Sequence, residues 1–399
     1  MSFEIWSILL AIGLITSVFF QAPWIGIICV SIFIIFLFAK INSKNNIDGI
    51  KYIRKFRYNR GFPGECLEGE VFITNHKFLP VSKLTLMDTW PEFIAPTDSA
   101  NIYPSHIDKH LYWVNSSAIL PSETIRRSIT ISLKSRGIFR IGPVELSSFD
   151  VFGINPISQT QETYDYITVY PEIIALESLG LNTEDPFGLI NSKNRIFEDP
   201  MQFIGIREYH PEDNLRKVHW NATARTSQLQ VKIHQPVSEN VVMICMDVST
   251  TQHLWYGINS EQLEHLIRIS ASVSYYLFRQ NFSVGFFSNG CQFYSDQPTR
   301  IFPSRSREQI PAILKAHAGL TQFTTTKFAY YLLENAVSFP YGATLIAITA
   351  NLSQELIKVF DQLKKYHFNS IIIYTGSDAP NDNFAFKLIH LPLTTEVQE

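Results

Sequence analysis

The sequence predicts a multidomain chain: an N-terminal transmembrane helical hairpin, a β-sandwich domain, and a C-terminal doubly wound α/β domain. Three observations carry this. The first 41 residues hold two nearly uncharged apolar runs. Residues 50 to 175 break into short alternating segments separated by turn residues. From residue 239 onward, continuous apolar strands alternate with helical stripes. At roughly 150 residues per domain, 399 residues leave room for two to three domains. The boundaries read 1–45 for the hairpin, 46–175 for the sandwich, 176–238 for a connecting segment and 239–399 for the α/β domain.

The hairpin comes first. Ile5 to Phe20 and Trp24 to Ala39 are apolar, split by Gln21-Ala22-Pro23. Each run of 16 residues spans roughly 24 Å as helix, short of a ~30 Å hydrocarbon core. The flanks extend each to about 20 residues, with Glu4 and Lys40 able to snorkel. A signal peptide would need a basic n-region, and Met1-Ser2-Phe3-Glu4 has none. Lys40, Lys44, Lys51, Arg54, Lys55, Arg57 and Arg60 follow the second run, while the connecting turn is uncharged. Lysine and arginine stay on the cytoplasmic side, so the reading is an inner-membrane chain with cytoplasmic soluble domains.

The sandwich is read from Val71-Phe72-Ile73-Thr74, Lys83 to Leu86 and Ser128 to Leu133 as half-buried strands. Gly64, Asn75, Pro80, Pro91, Pro121, Gly137 and Gly142-Pro143 punctuate them. His106 and His110 have ligand spacing for a helix, but Pro104 and Ser105 mark a loop. The four cysteines, Cys29, Cys66, Cys245 and Cys291, lack metal-ligand spacing and read as reduced structural thiols. A net charge of −3 argues against a nucleic-acid binder, and 46% hydrophobic with 17% charged residues argues against disorder.

The connecting segment is polar but chemically dense: Arg207, Glu208, Tyr209, Pro211, Asp213, Arg216, His219, Trp220, Arg225 and Lys232. Such residues build either an acid/base site or Arg–carboxylate pairs that pin neighbouring elements. No GxSxG, Walker A lysine or catalytic-type cysteine signature accompanies them. The structural and docking reading is therefore preferred, with no catalytic residue assigned. A hydrolase using Arg207-Glu208-Tyr209 and His219 is the alternative.

In the α/β domain, Val241–Met246, Phe282–Phe287, Leu345–Ile348 and Ile371–Tyr374 read as strands. Leu263–Leu277, Ile310–Leu314, Phe328–Ala336 and Leu356–Leu363 read as helices. Asp247, Ser249 and Thr251 follow the first strand with D-x-S-x-T spacing, a set of hard oxygen ligands suited to Mg²⁺. The spacing resembles the metal-ion-dependent adhesion site of von Willebrand factor type A domains. Thr326 fits the second-loop threonine, with Thr324 and Thr325 as alternatives. Thr349-Ala350-Asn351 stands where that site has Thr-Asp-Gly, so the site is degenerate. The other reading of this loop is helix capping by its hydroxyls. Metal binding here also frames a third alternative, an externally facing adhesin.

The chain resembles bacterial membrane proteins of the domain-of-unknown-function family 58. Arg136-Gly137 with Gly142-Pro143, the turn Asp150-Val151-Phe152-Gly153, and Val169-Tyr170-Pro171 carry part of the likeness. The hallmark G-x-R-E-Y-x-P-G-D-x-x-R-x-I-x-W-x-x-x-A-R is matched from Gly205 to Arg225, with Glu212 for its glycine and Val218 for its isoleucine. The resemblance implies a von Willebrand factor type A-like C-terminal domain and no established catalysis. It further implies a scaffold or chaperone-like role beside MoxR-type AAA+ ATPases and other membrane proteins.

Overall fold

The structure is a computed structural model. It describes residues 47–149, 156–179, 197–210, 218–237, 241–251, 257–340, 342–365, 368–378 and 386–393, with scattered positions between 13 and 34 and residues 187 and 384. The chain divides into two compact units, Met1–Tyr170 and Pro171–Glu399.

Most of the expected transmembrane hairpin lies outside the described residues, and its described positions between 13 and 34 are helical. Among the described residues no helix is long and apolar enough to cross a membrane. One contact within the segment is informative. A Cβ on Gly13 would lie 2.6 Å from Sγ of Cys29. The two described stretches therefore touch at Gly13 and Cys29.

The rest of the first unit is all β, in three sheets. Its strands are β1 (Ile50–Phe56), β2 (Arg60–Gly61), β3 (Cys66–Asn75), β4 (Val81–Pro91), β5 (Ile102–Pro104), β6 (His110–Ile119), β7 (Thr124–Ser132), β8 (Gly137–Ile141), β9 (Val144–Phe149), β10 (Pro156–Gln161) and β11 (Asp165–Val169). The sheet orders are β1-β3-β7, β10-β9-β4-β6-β5 and β2-β11-β8. Period-two burial along β1 and β3 turns Tyr52, Val71 and Ile73 inward. They meet Leu84, Leu86, Trp90, Trp113, Ile129 and Ile131 in one core.

This is the sandwich-like layering expected, with one difference. The Gly137 to Pro143 stretch is not a simple hairpin, because β8 pairs with β11 while β9 pairs with β4 and β10. The chain changes sheets at Gly142, whose φ of +104° and contact with the Thr163 carbonyl leave no room for a side chain. Asp150 to Gly153 lies outside the described residues.

The second unit opens with an antiparallel ribbon, β12 (Phe197–Glu208) and β13 (Gln230–Val237), with α1 (Trp220–Thr226) between them. Where the sequence showed only a polar connector, an irregular pairing forms, with register shifts between Asp199 and Gly205. Those bulges break the alternation that sequence periodicity detects.

Then follow β14 (Val241–Met246), α2 (Ser260–Arg279), β15 (Ser283–Gln292), β16 (Pro298–Ser304), α3 (Gln309–Gly319), β17 (Leu320–Thr324), α4 (Phe328–Asn335), β18 (Thr344–Thr349), α5 (Gln354–Lys365), β19 (Asn369–Tyr374) and β20 (Lys387–His390). Strands β15, β14, β18, β19 and β20 run parallel in that order, with β16 and β17 antiparallel to β15. Val242, Ile244 and Met246 face Leu266, Ile267 and Val273 of α2 and Ile313 of α3. Met243 and Cys245 face Leu332 of α4 and Phe360 of α5. Both faces are covered, which is why these strands read as continuous apolar runs.

The sequence missed β16, β17 and β20. Pro298 and Pro303 obscure β16, and an outer strand tolerates them because one side of its backbone is unpaired. The thiols also differ from expectation. All four are free, but Cys66 is exposed, so only Cys245 is a core thiol, its pKa pushed up by burial.

Within the first core one ion pair is fully enclosed. Arg54 on β1 donates from Nε to Asp88 Oδ2 at 2.8 Å and from Nη2 to Oδ1 at 2.5 Å, both side chains having no exposure. Tyr52 donates to the same carboxylate at 2.7 Å, and Arg54 Nη1 reaches Asp165 at 2.8 Å on β11. One guanidinium thus ties together strands from all three sheets. Arg54 was counted above with the charges that orient the hairpin. In the folded chain this charge is enclosed.

Removing one partner strands the other in a dry core, at a cost of ~3–5 kcal/mol. Arg54→Ala and Asp88→Ala should each lower the urea midpoint of the first unit's transition strongly. Arg57→Ala, whose pair with Glu68 is solvent-exposed, should leave it nearly unchanged.

Candidate functional site

The motif segment is placed first by backbone pairing. Arg207 and Glu208 end β12 opposite Val231 and Gln230, and Lys232 lies opposite Ile206. Tyr209 N donates to the Leu229 carbonyl at 2.9 Å, closing the ribbon's end. His219 precedes α1 and accepts from Ala222 N at 3.1 Å through Nδ1. A histidine whose Nδ1 caps a helix is committed as an acceptor, which removes it as a free general base. Thr223 of α1 accepts from Gln230 N at 3.0 Å and ties the helix to β13.

Arg207, Glu208, Arg225 and Lys232 are exposed, and Trp220 is 69% exposed. Pro211, Asp213 and Arg216 lie outside the described residues. The expected mutual pairing of Arg207, Asp213, Arg216 and Arg225 falls largely with them. Arg207 itself donates from Nη1 to the Glu208 carbonyl at 3.0 Å.

The second cluster forms at the carboxyl end of the parallel sheet. Asp247 follows β14 directly, 4% exposed, its N–H bonded to the Ile348 carbonyl at 2.9 Å. Oδ1 accepts from Ser249 N at 2.9 Å and from Asn289 Nδ2 at 2.9 Å. Oδ2 lies 3.1 Å from the Thr349 hydroxyl. Asn289, near the end of β15, also takes the Val248 N–H at 3.0 Å and donates to the Thr326 carbonyl at 3.1 Å. Sequence reasoning missed Asn289. Its signal was position alone: a buried amide near the end of the strand beside the Asp247 strand.

This donor set does not fit Mg²⁺. One carboxylate is present, and neutral donors occupy both its oxygens. Thr251 donates its hydroxyl to the Gly257 carbonyl at 3.0 Å, and Thr326 enters through its main chain. Among the described residues no cluster of three His, Cys, Asp or Glu side chains forms. The capping reading changes too. Asn259 caps α2 by accepting from Glu261 and Gln262 N–H, while Thr250 accepts from Asn259 N at 2.7 Å. The loop hydroxyls hold the cap in place and leave the capping itself to Asn259.

His106 contacts the Tyr112 hydroxyl, and His110 Nδ1 lies 2.7 Å from the Asp108 carbonyl, so the two histidines do not converge as ligands. A serine–histidine hydrogen bond of 2.7 Å does exist, between Ser270 and His317 Nε2. Both residues are fully buried between α2 and α3, with Nδ1 of His317 on the Ile313 carbonyl. That pair satisfies the core and meets no substrate.

Burial raises the Asp247 pKa, against the bonds from Ser249, Asn289 and Thr349 that lower it. Protonated, Oδ2 donates to Thr349, whose own hydrogen turns to the Asn351 carbonyl at 3.1 Å. Such a group is most stabilising below its unfolded pKa near 3.9 and loses that contribution as pH rises through the folded value. Asp247→Asn should therefore match or exceed the wild-type stability at neutral pH, with the difference shrinking toward pH 4. Asp247→Ala should cost ~1–3 kcal/mol, and added Mg²⁺ should not move the wild-type melting temperature. A divalent site would instead lose stability on Asp247→Asn and raise the wild-type melting temperature with added Mg²⁺.

Comparison with known proteins gives little beyond one family. No curated protein matches the chain. Among solved structures, AvmM, described as catalysing macrocyclization in alchivemycin A biosynthesis, is 12% identical over 32% of this chain and 93% of that chain, with a TM-score of 0.25. The sporulation control protein Spo0M from Bacillus subtilis is 19% identical over 31% of this chain and 50% of its own, with a TM-score of 0.20. A CARDB domain of PF1109 from Pyrococcus furiosus, solved with di-metal ions, is 11% identical over 31% and 94%, also at 0.20. Similarities at these scores carry no argument. The model of the family described as protein of unknown function DUF58 matches residues 205–327, from the first glycine of the motif through the Asp247 and Asn289 loops, and supports that family for this chain.

Proposed function

We propose that the chain is a non-enzymatic, membrane-anchored scaffold that presents its motif ribbon to partner proteins, a MoxR-type AAA+ ATPase foremost, in protein assembly or maturation. In this reading residues 1–45 form a transmembrane hairpin, the soluble units are cytoplasmic, and the second unit is von Willebrand factor type A-like. The observation that carries it is Trp220. The motif's tryptophan stands 69% exposed at the start of α1, and Ile206 and Leu229 of the same segment are exposed as well. Large aromatics dominate binding energy when a partner desolvates them. Meanwhile the motif histidine is occupied as a helix cap. The apolar runs and the contact between Gly13 and Cys29 support the anchor.

Purification of the tagged full chain from native membranes, with and without ATP, tests the partnership. A AAA+ ATPase should co-purify in a nucleotide-dependent way, and Trp220→Ala should lose it while keeping the wild-type melting temperature. Turnover of a hydrolysable substrate that vanishes with Glu208→Gln, at unchanged stability, would replace the scaffold by an enzyme. For orientation, a fluorescent protein fused at Glu399 should glow and alkaline phosphatase there should be inactive. The opposite pair of results would put the soluble units outside.

A further inference from the structure

We infer that one end of the β-sandwich is a membrane-contacting tip, where Phe78, Leu79 and Leu120 enter the interfacial layer of the bilayer that holds the hairpin. This rests on the anchored reading above and adds a second, peripheral contact to it. Phe78 is 92% exposed, Leu120 63% and Leu79 41%. Single exposed apolar residues are ordinary, but these three belong to two turns bound to each other. Asn75, fully buried, donates from Nδ2 to the Leu79 carbonyl at 3.0 Å and the Leu120 carbonyl at 3.1 Å. Its Oδ1 accepts from Lys77 N at 3.0 Å, and Ser122 N donates to the Lys77 carbonyl at 3.3 Å. The turns are thus fixed from beneath, and their apolar side chains are held outward.

The occupant is argued from where the anchor attaches. His76 N donates to the Gly49 carbonyl at 2.9 Å, so the tip is built on the first turn of the sandwich. Gly49 has φ of +89°, and a side chain there would press on Lys77. The second apolar run with its flank ends at Ile41, and the described chain resumes at Ile47. Six residues reach at most about 21 Å when fully extended. The tether therefore holds this end of the sandwich near the bilayer surface, where exposed aromatic and leucine side chains lose water favourably. Lys77 beside Phe78 suits the headgroup layer, its aliphatic stem following the apolar side chains inward.

Photo-crosslinking in the full chain tests this. p-Benzoylphenylalanine replaces Phe78 in one variant and Tyr103 in another. Tyr103 is also exposed but pairs with Tyr112, seven residues along β6 from Ile119, or about 23 Å from the tip. Irradiated native membranes should give a lipid adduct at position 78 and none at position 103. A protein adduct at 78, no adduct there, or equal lipid adducts at both positions each overturns the inference. Carbonate washing of the same membranes separates its failure from that of the anchor. A chain retained in the washed pellet without a lipid adduct at 78 keeps the hairpin and loses the tip. A chain released by carbonate loses both.

Discussion

A carboxylate taken out of water must be neutralised by a cation or surrounded by donors, and each unit of this chain is organised around one such group. In the first unit Asp88 is met by Arg54 and Tyr52, and the same guanidinium continues to Asp165. Three sheets that share few backbone bonds are thereby joined through one planar fork, a geometry a lysine would not reproduce. Among the described residues of the second unit Asp247 has no comparable cation. Ser249 N–H, the Asn289 amide and the Thr349 hydroxyl take that place. The first solution is rigid and charge-bound. The second tolerates either protonation state, because the Thr349 hydroxyl can reverse and pass its hydrogen to Asn351.

How much of this was legible in the sequence depends on which signal each residue carried. The parallel core of the second unit was readable because Val241–Met246 and Leu345–Ile348 are buried on both faces and stay apolar throughout. Helices α2 to α5 were readable from their stripes. Arg54 was counted with the charges that follow the apolar runs, and nothing local distinguishes a buried arginine from an exposed one. Its partners lie 34 and 111 residues away. Asn289 was invisible for the same reason, being defined by neighbours at positions 247, 248 and 326. The D-x-S-x-T spacing was real as a loop, but spacing does not reveal which oxygens are already engaged. Only the hydrogen bonds show that Thr251 and Asp247 are committed inside the fold.

The motif teaches a related point about charged, aromatic sequence runs. Composition made Arg207 to Arg225 look like chemistry, and its polar groups are in large part architecture. His219 caps α1, Thr223 joins that helix to β13, and the Arg207 guanidinium serves the neighbouring carbonyl. Trp220, by contrast, stays 69% exposed at the start of α1. In the scaffold reading proposed above, that exposed ring is the surface a partner would cover.

The span matched by the family also does not close on itself as a structure. It runs from Gly205 to Lys327 and so includes Asp247, Asn289 and Thr326. It stops before Thr349, the third donor to Asp247, and before β18, which pairs with β14 over Val242 to Met246. Cut at Lys327, β14 would lose one of its two parallel neighbours and expose ladder groups that the intact sheet satisfies. The Asp247 carboxylate would keep Ser249 and Asn289 but lose the Thr349 hydroxyl that donates to Oδ2. The folding unit is therefore larger than the recognisable segment, and the Asp247 latch and strands β18 and β19 belong to it. The ribbon alone, with only two strands and one short helix, buries too little to stand by itself.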